Sequence, residues 1–313
     1  FIVPITQSNL CLSGDTRIST DKGLLTLKEL YDKEEEFNVF SDNRAMEGNE
    51  ILFKLKNNVM SEEYKNAFGT NSFKSSKVFL TKNNAKTFKI SLDKGLEIDA
   101  TEDHKFMTDI GFRKLSELKK GDYVYIQSGT GGFSNNYNLP EFKHIATNAS
   151  WEARYINDMF NPPQAWSAHL GEFLGWMVGD GYISRHTSPS KTEQKISALV
   201  FGKDDTNMLN YFDTLITPMF SKPKIHYQNH PGSTQMIITD VRFVLWLESL
   251  GITYNKAPQK CIPKTIWNAP REVQRGFLRA IFGADGTVDV SKDYHAIAIS
   301  YGSTSLTLMK ELQ

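Results

Sequence analysis

Two nine-residue stretches of the chain align position for position, FLGWMVGDG (Phe173–Gly181) and LRAIFGADG (Leu278–Gly286). Each is an apolar run that ends in a small residue, an Asp and a Gly. Gly175 and Gly179 are four residues apart, as are Ala280 and Ala284, so on a helix each pair shares one face. Faces of that kind let two helices approach closely. Packed side by side, the helices deliver Asp180 and Asp285 to one point. Gly181 and Gly286 are predicted to end the helices in the left-handed conformation. One Asp-Gly helix end is an ordinary turn; two aligned copies mark a duplicated unit.

The surroundings repeat the pattern. WSAHLGEFLGWMVGDGYIS reads as helix, Gly and strand, and REVQRGFLRAIFGADGTVDV reads the same way. Between them, FGKDDTNMLNYFDTLITPMF is an amphipathic helix, and TQMIITDVRFVLWLESLG runs from strand to helix. Residues 166–313 are therefore predicted to be an α+β domain. Two carboxylates held together repel unless cations sit between them. Hard oxygen ligands with a phosphate substrate favour Mg²⁺, which can activate water and stabilise the leaving oxygen of a phosphodiester.

Residues 11–135 have a different character. TFKISLDKGLEIDAT (Thr87–Thr101) is two short strands around a Lys94-Gly95 turn, and GDYVYIQ (Gly121–Gln127) alternates as a half-buried strand does. GLLTLKELY (Gly23–Tyr31) and GFRKLSELKKGD (Gly111–Asp122) echo each other: Gly, short strand, one helical turn ending in Glu-Leu. That echo predicts two related β-lobes. Residues 57–85 are polar and read as a long surface loop. SGTGGFSNNYN (Ser128–Asn138) marks a boundary, and residues 136–165 read as a linker or a DNA-contacting segment.

The β-rich region opens on one of only two cysteines, in SNLCLSGDTRI (Ser8–Ile18). Cys11 and Cys261 are too few for a disulfide framework, which favours a reducing, cytoplasmic location. No apolar run reaches membrane-spanning length. The segment before Cys11 lacks a basic n-region and is broken at Pro4, so it does not read as a lipoprotein signal. About ninety residues after Cys11, GLEIDATEDHKFM places Thr101 and His104 at a T-x-x-H spacing. A nucleophilic thiol needs a proton-transfer partner, and His can protonate a leaving amine near neutral pH. Taken singly, Cys11 is a small hydrophobe and His104 a structural histidine; the combination carries the chemical reading.

CLSGDTRI and GLEIDATEDHKFMT resemble the first two splicing blocks of inteins, the N-terminal part of the Hint fold, and GFRKLSELKKGDYVYI looks like the strand that closes that lobe. The resemblance covers residues 11–127. It implies an all-β Hint domain in which Cys11 attacks the carbonyl carbon of Leu10, converting the amide to a thioester. His104 would protonate the departing nitrogen, Thr101 would add a supporting hydrogen bond, and Asp103 is given at most a small part. No cofactor is implied for splicing. Residues 1–10 would be the N-extein, and QSNLC is similar to an active-site segment of the large subunit of class I ribonucleotide reductases.

The two Asp-Gly stretches resemble the motifs of a LAGLIDADG homing endonuclease, the domain nested in many inteins. This implies a metal site of Asp180 and Asp285 with Gly179 and Ala284, serving double-stranded DNA cleavage. The sixth motif position, acidic in some members, is Val178 and Gly283 here. In the family, strands after each helix lie in the major groove, where polar side chains read base edges. The DNA-binding candidates are Arg185, Lys191, Gln194 and Lys195, with Lys203 as a candidate catalytic lysine. The whole chain has 36 Lys+Arg and 36 Asp+Glu, and residues 166–313 have 15 against 13, so any basic face is local. No His-Asn pair followed by Cys, Ser or Thr occurs in the sequence. The expected partner is therefore a C-terminal intein fragment with its C-extein, the chain being naturally split or truncated. Two other readings stay open: mainly a metal-dependent endonuclease with a relict Hint lobe, or a non-splicing Hint autoprocessor.

Overall fold

The structure, a computed structural model, describes residues 11–41, 71–75, 77–93, 95–126, 131–142, 158–187, 193–254, 256–291 and 296–313. The chain divides into two compact units, Phe1–Asn135 and Asn136–Gln313.

In the first unit β1 (Arg17–Thr20) and β2 (Gly23–Thr26) form a hairpin that runs into helix α1 (Leu27–Lys33). Gly23 takes the left-handed φ of 106° that the turn requires. The Thr20 hydroxyl closes the turn by donating to the Gly23 carbonyl at 2.7 Å. α1 starts on a capping box between Thr26 and Glu29. Next comes β3 (Phe37–Ser41), paired with β4 (Asn71–Ser75), so that the sheet order is β2-β1-β3-β4. β4 lies within the stretch expected to be a surface loop. Its alternation of Asn, Ser and Lys around Phe73 hides a strand that pairs Phe73 with Val39. Residues 57–70 lie outside the described residues.

β5 (Phe88–Ser91) and β6 (Glu97–Ala100) form the expected hairpin around Gly95, which has φ 83°; Lys94 itself is outside the described residues. β7 (Lys105–Thr108) and β8 (Gly111–Lys114) then repeat the first hairpin 88 residues later. Thr108 donates to the Gly111 carbonyl at 2.7 Å, and Gly111 has φ 103°. Glu117 accepts from the Lys114 N–H as Glu29 does from the Thr26 N–H. Leu115 N–H bonds the His104 carbonyl as Leu27 N–H bonds that of Thr16. The echo between the two stretches is thus a backbone duplication. It is not all-β, since α1 is a true helix and its counterpart a single 3₁₀ turn at Leu115–Glu117.

The GDYVYIQ stretch does not form the strand its alternation suggested. Val124 makes one isolated bridge to Thr108, and Gly121 sits at φ 100° in a turn that Asp122 ties to Lys119 and Arg113. Small apolar clusters hold the unit: Leu25, Leu30 and Phe37 in one, Ile98, Ala100 and Phe106 in the other.

The second unit is built on two helices, α2 (Ala168–Asp180) and, later in the chain, the helix Arg271–Asp285. α2 is capped by Ser167, whose Oγ accepts from Leu170 N–H at 3.1 Å. It runs directly into β9 (Gly181–Thr187), which pairs with β10 (Glu193–Gly202). α3 (Thr206–Ile216), β11 (Ile225–Asn229), β12 (Ser233–Ile238) and α4 (Val241–Ser249) complete a sheet of order β11-β12-β10-β9 with helices on one face. A short helix α5 (Lys264–Trp267) leads into α6 (Arg271–Asp285), the hairpin β13 (Gly286–Ser291) and β14 (Ala296–Tyr301), and α7 (Leu306–Leu312).

The small residues set how closely α2 and α6 pack. A side chain at Gly175 would place its Cβ 2.3 Å from the Phe277 carbonyl oxygen, and one at Gly179 would lie 2.6 Å from Ala284 Cβ. The contact runs further than the motif, because a Cβ at Gly171 would meet the Val273 carbonyl oxygen at 2.2 Å and one at Gly276 that of Ala168 at 2.4 Å. Gly181 and Gly286 are not left-handed: their φ values are −108° and −86°, both extended. Glycine is needed there for space. A Cβ would fall 2.6 Å from the Met177 carbonyl oxygen and 2.3 Å from that of Phe282, because helix passes into strand without a turn.

Residues 136–142 and 158–165, expected to be a linker or a DNA contact, pack on the second unit. Leu139, Phe142 and Phe160 lie against its main core, and the Phe160 ring stacks on Phe220 at 5.4 Å. The Asp158 carboxylate, buried, accepts from Lys224 Nζ at 2.6 Å and lies 3.4 Å from the Arg242 guanidinium. Among the described residues no helix is long and apolar enough to cross a membrane.

Candidate functional site

In the first unit Cys11, Thr101 and His104 meet. Leu12 bridges Ala100, so the chain after Cys11 runs antiparallel to the end of β6. Thr101 clasps Cys11 in both directions: its N–H donates to the Cys11 carbonyl at 3.0 Å, and its Oγ1 accepts from the Cys11 N–H at 3.3 Å. One turn on, His104 N–H bonds the Thr101 carbonyl at 3.0 Å, and its imidazole lies close enough to feel the Cys11 backbone. His104 is 2% exposed. Neither ring nitrogen has a hydrogen-bond partner of good geometry among the described residues. Burial is the largest influence on it and pushes its pKa below the usual histidine value, with the Asp103 charge and the Cys11 backbone opposing. Burial thus favours the neutral imidazole and makes its protonated form a stronger acid than an ordinary imidazolium.

Asp103 bonds the Thr101 side chain, which with its own backbone and the charges of Lys82 and His104 holds its carboxyl below the ordinary range against the cost of burial. Its place is thus beside the threonine. A further group arrives from the stretch read as a loop: Thr81 Oγ1 lies 2.7 Å from Cys11 Sγ. Nothing in its sequence context marks it, because a threonine in a polar run has no spacing that points at a thiol 70 residues away. Leu10 lies outside the described residues.

In the second unit Asp180 and Asp285 end the two packed helices, side by side. Burial, then the charge of Asp285, raises the Asp180 pKa to about 6. Asp285 Oδ2 accepts from the Tyr301 hydroxyl at 3.4 Å. The lysine at this point is Lys260, which donates to the Gly179 carbonyl and feels the charges of both carboxylates. Burial nonetheless dominates and lowers its pKa. Lys203 is exposed beyond the end of β10 and lines an open groove with Asn210 and Tyr227. Lys260 sits outside both motifs, in the connection before α5, so only the fold reveals it.

The set fits a divalent cation in part. Two converging carboxylates, one with a raised pKa, are hard oxygen donors short of positive charge. Among the described residues no three His, Cys, Asp or Glu side chains gather as a metal cage. Of the other expected ligands, the Gly179 carbonyl already accepts from Lys260, and Ala284 meets Gly179 through its Cβ.

The expected DNA readers divide by strand parity. Ile183 on β9 and Leu199 on β10 point into the core, so Arg185 and Lys195, which pair in register, lie on the same, helix-covered side. The Arg185 guanidinium stacks over the Tyr254 ring at 3.8 Å, and both cations pair with Glu248 of α4, at 3.5 and 3.6 Å. The opposite face of the sheet carries Tyr182, Ser184 and Gln235, with the Tyr182 hydroxyl donating to Gln235 Oε1 at 3.1 Å. Gln194 pairs in register with His186, and Lys191 lies outside the described residues.

Residues 272–313 match the family model of a LAGLIDADG-like domain. Over 98% of its length the chain is 24% identical to the ribonucleoside-diphosphate reductase NrdEB subunit alpha of Bacillus subtilis (strain 168), of which it covers 25%. It is 26% identical over 94% of its length to the replicative DNA helicase DnaB of a Nostoc species, covering 28% of that protein. The family-model match and the reductase relative fit the resemblance to an intein with a nested LAGLIDADG endonuclease in a ribonucleotide reductase host. It spans about a quarter of the length of these relatives. Among solved structures, it overlaps a DnaB intein from a Synechocystis species with TM-score 0.28 and 24% identity, covering 37% of this chain and 67% of that one. It overlaps I-DmoI in complex with DNA and Ca with TM-score 0.32 and 11% identity, covering 38% and 58%.

Proposed function

We propose that the first unit rearranges its own upstream peptide bond. Cys11 Sγ attacks the carbonyl carbon of Leu10. The thiol proton passes to His104, the Leu10–Cys11 C–N bond breaks as the C–S bond forms, and His104 returns the proton to the departing nitrogen. The product is a thioester and a free amine, with no net gain or loss of atoms. The carrying observation is the two-way clasp of Cys11 by Thr101 with the buried His104 one turn away. A buried imidazole with lowered pKa matches a base that takes one proton and gives it up to an amine. Thr101, held by Asp103, keeps the Cys11 backbone in place while this happens. The test is mass spectrometry after incubation with a thiol: residues 1–10 leave as a thioester, and Cys11→Ala abolishes the release. Release from Cys11→Ala would overturn the mechanism.

Complete splicing needs the closing Hint segment with its His-Asn and following nucleophile. A piece that carries this segment, with the reductase flanks as exteins, is the proposed partner for the test. Mixing the two pieces then gives ligated flanks, and only unreacted chains would refute it.

The second unit is proposed to cut double-stranded DNA. A divalent metal bound there would supply the water activation and leaving-group stabilisation that two carboxylates alone lack. Asp180 and Asp285 would hold it, Lys260 would bring positive charge to the phosphodiester, and the open face around Tyr182, Ser184 and Gln235 would lie against the bases. A supercoiled plasmid carrying the reductase coding sequence without an insertion is the substrate to use with Mg²⁺. Cleavage by the wild-type chain and none by Asp180→Asn is the expected pair of results.

A further inference from the structure

The segment Val78–Lys82 crosses the first unit without joining a sheet, and its side chains divide unusually. Phe79 and Leu80 are 72% and 58% exposed, although both are large and apolar. Val78 packs against the cluster of Leu25, Leu30 and Phe37. Thr81 turns its hydroxyl to Cys11 Sγ at 2.7 Å, and the next residue, Lys82, adds its charge to those that act on Asp103. Asp103 in turn bonds Thr101, the residue that clasps Cys11. The segment is therefore pinned on one lobe by an apolar contact and on the other by two polar contacts at the reacting end. Burial of its own apolar residues does not explain the path, because the two largest face solvent.

We propose that Thr81 is a positioning residue for the attack of Cys11, its hydroxyl fixing the sulfur through both protonation states. This rests on the reading of Cys11 as nucleophile. The thiol donates to Oγ1 at rest. Once its proton has moved to His104, the same hydroxyl turns and donates to the sulfur, so the contact survives the transfer. A thiol has a single rotatable bond, χ1, between it and the backbone. With the Cys11 backbone clasped by Thr101, one contact at Sγ is sufficient to set that angle. Near-attack geometry is sensitive to such placement.

The full chain is assayed for thiol-induced release of residues 1–10 and, separately, for alkylation of Cys11 by iodoacetamide, with Cys261 as the internal control. Thr81→Val is expected to slow both release and Cys11 alkylation about tenfold, from loss of a hydrogen bond to a charged sulfur. Cys261 alkylation and the urea midpoint should stay at wild-type values. Thr81→Ser, which keeps the hydroxyl, is expected to restore both rates to within about threefold of wild type. Thr81→Val with unchanged Cys11 alkylation overturns the inference, whether or not the bond cleaves. Thr81→Ser as slow as Thr81→Val also overturns it, since packing alone would then explain the loss. A wild-type chain that releases nothing, yet shows the Thr81 dependence of alkylation, refutes the acyl-shift reading and leaves the contact to Thr81 standing.

Discussion

Both units are duplications, and they use duplication in opposite ways. In the first, residues 88 apart repeat the same turn, cap and backbone bonds, while the proposed chemistry sits in one copy: His104 and Thr101 stand where the other copy has Thr16 and Ser13. In the second, residues 105 apart repeat the side chain proposed to act, with Asp180 and Asp285 brought to one point by the helices that carry them. A copied backbone is thus a scaffold whose second site can diverge. A copied side chain must meet its twin to be of use, so its helix packing must be kept as well.

The largest expected effect separates the two copies of the first unit. His104→Ala should slow thiol-induced release about a hundredfold or more, whereas Thr16→Ala, its counterpart, should stay within about threefold, because Thr16 bonds its neighbours there through backbone groups that alanine keeps. Equal losses in the two variants, read by mass spectrometry over time, would erase the distinction between scaffold and site.

Next comes the helix pair. Gly276→Ala drives a Cβ into the Ala168 carbonyl and should destabilise the second unit by about 1–3 kcal/mol. Gly283→Ala, on the same helix, meets only Trp176 at 3.8 Å and should stabilise by about 0.5–1 kcal/mol, because it removes a helical glycine. Opposite shifts of the thermal midpoint are the expected outcome.

A smaller effect tests the meeting of the carboxylates. Burial and the Asp285 charge raise the folded Asp180 pKa to about 6, above its ordinary 3.8, so stability falls as pH rises through that window. Near neutral pH and without metal, Asp180→Asn should therefore stabilise by about 1–2 kcal/mol, allowing for its partial exposure. Added Mg²⁺ should raise the midpoint of wild type more than that of the variant.

The smallest is a slope. Burial holds the His104 pKa below its ordinary 6.5, so the unfolded chain takes up the proton first as pH falls. Stability of the first unit should be flat above about pH 6.5 and decline below it, and His104→Gln should remove that decline. Urea midpoints at pH 5 and 7.5 give the comparison.

The helices α2 and α6 were legible because apolar spacing and paired small residues leave few alternatives. The clustering of Cys11, Thr101 and His104 was readable only as a combination, since strand pairing joins residues 90 apart. Lys260 and Thr81 were not legible: each reaches its site from a connection whose path is set by packing elsewhere. The direction of Arg185 and Lys195 was within reach. Period-two alternation from Ile183 already puts Arg185 on the core side, and register then takes Lys195 with it. The left-handed assignment of Gly181 and Gly286 failed because glycine serves space as well as φ, and a sequence does not say which.

The extended glycines after each aspartate have one more consequence. With no loop between helix and strand, neither aspartate's backbone can shift on its own: each is fastened at the very end of a rigid rod. The gap between them is then set several turns away, where Gly171 meets Val273 and Gly276 meets Ala168. A residue that touches neither carboxylate works as a spacer for both, and a single added methyl there alters the reach of the pair as a bent hinge alters a pair of calipers.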